Sequence, residues 1–150
     1  MTASVQAAIQ AGDELPSLVK GPVSRQMLVE WCAAENDYFH LHYDERVAKA
    51  MQLPGPPIQG TFRYAMMGQM VQHWLNGLPG GGTLSRITAS YRGLNLEGDI
   101  ISARGKVVAT EPAGEGRKVS LEVWIENDQG VRSTTGEATV LLPGGGVISV

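Results

Sequence analysis

The sequence predicts an α+β fold in which a curved antiparallel sheet wraps around one long central helix. Three observations predict it. Residues 59–78, QGTFRYAMMGQMVQHWLNGL, are apolar nearly all round, with Arg63, Gln69, Gln72 and His73 as the main exceptions. A helix of that kind needs burial on most sides. The stretch RKVSLEVWIE alternates strictly, with Val119, Leu121, Val123 and Ile125 on one face and Ser120, Glu122, Trp124 and Glu126 on the other. From about Thr83 to Leu142 it is one of four strand-like segments of about ten residues, enough for an antiparallel meander that curls.

The elements follow in order. Ser24 is placed to cap RQMLVEWCAAE, since its hydroxyl can accept from the orphan amides of a first turn. Met27, Leu28, Trp31 and Ala34 give that helix an apolar stripe. A second short helix, DERVAKAMQL, starts with Asp44 as its cap and stops before Pro54, Pro56 and Pro57. Both pieces are expected outside the sheet. The central helix, Thr61 to Leu75, would be about 22 Å long. TLSRITASYR and DIISARGKVVAT read as strands separated by GLNLEG. A loop, EPAGEG, precedes the alternating strand, and the turn NDQG leads into VRSTTGEATVLL. A chain of 150 residues suits one domain burying roughly 70% of its unfolded surface. The expected division is a flexible stretch 1–10, a folded domain 11–143 and a flexible tail 144–150.

Composition narrows the function. A net charge of −3 with scattered Lys and Arg argues against nucleic acid, which needs a basic stripe. Cys32 stands alone, which fits a reducing compartment. The first residues lack the basic start and long apolar core of a signal peptide, and no run approaches the ~18 apolar residues of a membrane span. A cytoplasmic location is the expectation.

The chemistry concentrates in DYFHLHYDE, residues 37–45, which holds two of the three histidines. Read as His40-x-His42-x-Asp44, it suggests a metal site. Further ligands would then have to come from His73 or Cys32, both on apolar helices. Read as Asp37-x4-His42, it suggests an acid/base pair serving one water molecule. An imidazole exchanges protons near neutral pH, a role typically worth ~10²- to 10⁴-fold in rate. The pair asks for fewer partners than the metal, but Asp-x4-His is a common spacing, and on spacing alone both are read first as ordinary loop residues. His40 is then a loop residue, and Asp44 is better explained as an N-cap. Met66, Met67 and Met70 are core residues first, since Met fills irregular space.

The wider stretch AENDYFHLHYDERVAKAMQLPGPPIQG resembles the signature of the MaoC-like, or (R)-specific, enoyl-CoA hydratase family. AGDELPSLVKGPVSRQMLVEW resembles its opening strand and helix, GDIISARGKV its third strand and TTGEATVLLP its closing strand. The resemblance runs from about residue 11 to 143. It implies the hot-dog fold and reversible syn hydration of a trans-2-enoyl thioester to an (R)-3-hydroxyacyl product. It implies Asp37 and His42 as the catalytic pair and the Gly60 backbone N–H as the donor to the thioester oxygen. Tyr38, Phe39, Ile58, Gln59 and Phe62 fall where substrate contacts are expected. No metal and no cofactor is implied beyond CoA as part of the substrate. The partners implied are an acyl-CoA and a second hot-dog chain, identical or different.

The chain departs from the family pattern in three places. Phe39-His40 stands where the family usually has Asn-Pro, Gln59 where it commonly has His, and Gly68 where some members have Ser. Steroid-type enoyl-CoA hydratases, built from two different hot-dog chains, show a similar loss of Asn-Pro. A bulky acyl group or a partner subunit therefore stays open, as do a non-catalytic acyl-thioester binder and a hot-dog thioesterase.

Overall fold

The computed structural model describes residues 8–144. Of the stretches expected to be flexible, 1–10 and 144–150, residues 1–7 and 145–150 lie outside the described residues. The elements are β1 (Leu18–Lys20), α1 (Arg25–Glu35), a 3-10 turn (His40–His42), α2 (Glu45–Ala50), α3 (Gly60–Asn76), β2 (Thr83–Ile87), β3 (Ser90–Tyr91), β4 (Ile101–Ala113), β5 (Gly116–Asn127) and β6 (Arg132–Leu142). One antiparallel sheet carries them in the order β1-β4-β5-β6-β2, with β3 also on β6.

The alternation read in β5 is the alternation observed. Val119, Leu121, Val123 and Ile125 are buried, each at most 1% exposed. On β4, Ile101, Ala103 and Val107 face the same core until a bulge between Val107 and Ala109 breaks the period, and Val108 is turned outward. The core is closed by α3, whose Phe62, Met66, Met67, Met70, Val71 and Leu75 are all buried. Truncating one such side chain typically costs ~2–5 kcal/mol, so this helix and the inner sheet face hold the domain together.

Four expectations need correction. The strands do not form a four-strand meander. Only β4, β5 and β6 do, while β2 crosses over to pair with the far side of β6. Alternation alone states which face a strand buries and says nothing about its neighbours. The segment 83–92 is broken into β2 and β3, because Thr88 bonds across to Glu137 and its carbonyl oxygen sits 2.0 Å from where a Cβ on Gly136 would be. The loop expected at 111–116 shrinks to a tight turn, with Ala113 paired to Gly116 and Gly114 at φ 58°. Finally, the polar exceptions read on α3 do not share one fate. Thr61, Tyr64, Gln69, Gln72, His73 and Asn76 form an exposed face, while Arg63, read as a polar exception, is buried.

The two outer helices start where their caps place them. The Ser24 hydroxyl accepts from the Met27 N–H, and the Asp44 carboxylate from the Arg46 N–H. On α1 the buried line runs through Leu28 and Cys32, while Ala34 is exposed. That line lies against the start of α3, and the Arg25–Glu97 ion pair pins the other end of α1 to the β3–β4 connection.

Candidate active site

The loop carrying the candidate pair begins where α1 is forced to stop. Asn36 takes the left-handed conformation at φ 55°, and the Asp37 N–H turns back to the Cys32 carbonyl at 3.0 Å. Asp37 is then exposed, with one carboxylate oxygen accepting from the Phe39 N–H at 3.2 Å. A short 3-10 turn follows. The His42 N–H donates to the Phe39 carbonyl at 3.1 Å and the Asp44 N–H to the His40 carbonyl at 2.7 Å. The Tyr43 hydroxyl donates to the Tyr38 carbonyl at 3.0 Å. These bonds give the loop one shape without help from Asn-Pro.

The decisive contact is made by His42. Its Nδ1 lies 2.8 Å from the Pro57 carbonyl oxygen. A carbonyl can only accept, so Nδ1 carries a proton, and in the neutral ring that leaves the lone pair on Nε2. The ring is half-buried, with Phe39 edge-on at 6.0 Å between centroids. Pro57 is itself fixed: it bridges to Leu96, and its neighbours bond to Asn95 and Glu97. His42 is thereby tied to the segment that enters α3 three residues later at Gly60.

Gly60 opens α3, and Gln59 before it makes no side-chain cap. The Gln59 amide donates instead to the Leu28 carbonyl at 3.0 Å and lies 3.2 Å from the Cys32 sulfur. The first amides of α3 are thus free of a cap and carry the positive end of a 17-residue helix. The far end of α1 is clamped to the same turn. Trp31 Nε1 donates to the Thr61 hydroxyl at 3.0 Å, that hydroxyl donates to Glu35, and Trp31 packs edge-on against Phe62 at 5.4 Å. Asp37, two residues past Glu35, therefore starts from the mouth of α3.

Of the other expected contacts, Tyr38 and Phe39 are about half exposed, at 54% and 49%. Ile58, Gln59 and Phe62 are buried, and Gln59 and Phe62 hold α1 against α3. His40 packs against Tyr43 at 5.3 Å, and Asp44 is engaged by Arg46, whose hydrogen bond holds its carboxyl below the ordinary range. Among the described residues no three His, Cys, Asp or Glu side chains are grouped to hold one ion. An open groove of about 670 Å³ on β4–β6, lined by Val108, Ser120, Glu122 and Thr135 among others, includes none of the candidate residues.

Two residues at this corner were not read as site residues in the sequence. Arg63, one turn into α3, is 4% exposed and donates from Nη1 to the Gly93 carbonyl at 2.8 Å. Its guanidinium lies 5.2 Å from the centroid of the Tyr91 ring. No motif marked either residue. The one available signal was an arginine inside an otherwise apolar helix.

No family model and no curated protein matches the chain. Solved structures do. An (R)-hydratase from A. caviae involved in PHA biosynthesis superposes with a TM-score of 0.79 at 22% identity, over 91% of this chain and 99% of its own. The chain has the hot-dog fold. A MaoC-like dehydratase from Rhodospirillum rubrum shares it with a TM-score of 0.79 at 18% identity, covering 93% of this chain and 96% of that one. So does the ChsH1-ChsH2 complex from Mycobacterium tuberculosis, with a TM-score of 0.75 at 17% identity, covering 88% and 97%. In hot-dog terms α3 is the central helix and the β1–β6 sheet is its wrapping. No described helix is long and apolar enough to cross a membrane.

Proposed function

We propose that this protein is a hydratase/dehydratase that adds water reversibly across a trans-2-enoyl thioester, with CoA as the carrier, giving an (R)-3-hydroxyacyl thioester. The observation that carries the reading is the His42 Nδ1–Pro57 carbonyl bond. It leaves Nε2 as a base and joins the imidazole to the start of the central helix. The hot-dog neighbours described as an (R)-hydratase and a MaoC-like dehydratase support it.

The reaction follows from these groups. Asp37, an acceptor only when ionised, holds one O–H of a water molecule. His42 Nε2 takes the other proton as the water oxygen bonds to the β-carbon. Charge moves onto the thioester oxygen, where the Gly60 N–H and the α3 dipole meet it. The imidazolium then returns its proton to the α-carbon on the same face. The elements of water end on adjacent carbons, and the enzyme is unchanged. No step calls on a metal. Turnover of crotonyl-CoA in a strong chelator is therefore expected to equal that without it; activity lost to chelator and restored by zinc would reverse this.

A second reading, a heteromeric or non-catalytic partner subunit, draws on the exposed apolar residues around the site. Tyr38, Phe39, Tyr64, Tyr91 and Leu94 are between 38% and 54% exposed in the single chain. The neighbouring ChsH1-ChsH2 complex is built from two components. Covering these residues with a second hot-dog chain gives a dimer at micromolar concentration in sedimentation. A monomer that hydrates enoyl-CoA at full rate would contradict that assembly.

A further inference from the structure

Gly60 is not required by its backbone, since its φ is not positive and any residue adopts the start of a helix. What excludes a side chain there is Tyr91. A Cβ at position 60 would stand 2.9 Å from Tyr91 Cζ and 3.1 and 3.2 Å from Cε1 and Cε2. The hydroxyl-bearing end of the ring therefore lies across the first turn of α3. That turn has no side-chain cap on its first amides, and it begins three residues after the Pro57 carbonyl that holds His42.

The ring is held there on two sides. Its backbone pairs with Thr134 in the sheet. Its ring carries the Arg63 guanidinium, a buried charge whose Nε has no partner and which makes no ion pair among the described residues. A buried cation without a carboxylate is costly, and a desolvated cation–π contact offsets only part of that. Such an arrangement fixes the ring more firmly than packing alone. Among the described residues the hydroxyls of Tyr43 and Tyr64 are spent on backbone carbonyls, whereas that of Tyr91, like that of Tyr38, has no hydrogen-bond partner, and Tyr91 is half exposed. Desolvation holds the phenol above its ordinary value, with Arg63 opposing, so it is a neutral O–H donor at physiological pH.

We propose that Tyr91 is a second donor to the substrate's thioester oxygen, beside the Gly60 N–H, and that Arg63 is its positioning residue. This rests on the hydratase reading for its kinetic consequence, but the contact itself is a binding contact. Tyr91→Phe removes only the hydroxyl. In the full-length protein it is expected to lower kcat for crotonyl-CoA about 10²- to 10³-fold, the range for losing one such donor, with KM changed far less. The second readout needs no turnover. The infrared carbonyl stretch of saturated butyryl-CoA, ¹³C-labelled at the thioester, should shift to lower wavenumber on binding wild type and shift less on binding Tyr91→Phe. Arg63→Met should reduce both effects, and adding it to Tyr91→Phe should cost little more. If Arg63→Met does not fold, the Tyr91→Phe pair of measurements still decides the donor. Equal kcat and equal carbonyl shift in wild type and Tyr91→Phe would overturn the proposal. A carbonyl shift that depends on Tyr91 in a protein that hydrates nothing would support the contact and reject the hydratase reading alone.

Discussion

His42→Ala is expected to lower enoyl-CoA hydration by about 10²- to 10⁴-fold, or ~3–5 kcal/mol of transition-state stabilisation. In the proposed mechanism the side chain supplies the base that takes the water proton and the acid that returns it, and among the described residues no other imidazole has a nitrogen tied to the segment entering α3. The fold should survive. His42 is only half-buried, and its side-chain hydrogen bond to protein is the one to the Pro57 carbonyl, a contact worth about 1 kcal/mol. In a domain of this size that corresponds to a fall of ~2–4 °C in Tm. Turnover within threefold of wild type, in a variant folded by circular dichroism, would remove His42 from the mechanism.

Asp37→Asn is expected to cost a comparable factor, about 10²-fold or more in kcat, with no measurable loss of stability. The substitution keeps the shape of the side chain and an oxygen able to accept from the Phe39 N–H, so the turn should form as before. What it removes is the negative charge. An amide cannot offer two acceptor oxygens to water, and it cannot stabilise the imidazolium formed when His42 takes a proton. Because Asp37 is exposed, the substitution strands no buried group. Retained activity measured in initial-rate assays would mean that another group holds the water.

Much of the fold was legible because two of its signals are periodic. The alternation at 119–125 marked the inner face of β5, and the apolar run at 59–78 marked the central helix. Ser24 and Asp44 were legible as caps because a cap is a local bond between a side chain and an amide two or three residues on. The sheet order was not legible, since β2 reaches the far side of β6 by a crossover that leaves no mark in either strand. The open face of α3 was legible in part: Gln69, Gln72 and His73 read as polar exceptions and are exposed, while Tyr64 reads as apolar and stands at 38% exposure in the single chain.

At the site, the pair was legible from spacing and from family resemblance, but its geometry was not. Nothing in DYFHLHYDE says that His42 will spend Nδ1 on a proline carbonyl fifteen residues away. The structure also gives Gln59 an occupation that the sequence did not suggest, bridging α1 and α3 through Leu28 and Cys32. Arg63 and Tyr91 were missed for a plain reason. They are 28 positions apart, and only the pairing of β3 with β6 brings the tyrosine to the start of the helix.

The central claim is that water adds to the β-carbon of an enoyl thioester at this loop, and product identity tests it most directly. The wild-type protein is incubated with crotonyl-CoA and, separately, with an enoyl-CoA of bulkier acyl group. The products are resolved by chiral chromatography of the acyl group and by mass. Hydration at this loop gives an intact CoA thioester heavier by one water, hydroxylated at the third carbon in the R configuration, on at least one of the two substrates. Free CoA with an unhydrated acid would mean attack at the carbonyl carbon, a thioesterase. Unchanged enoyl-CoA from a folded protein, alone and in mixture with candidate partner hot-dog chains, would contradict the account.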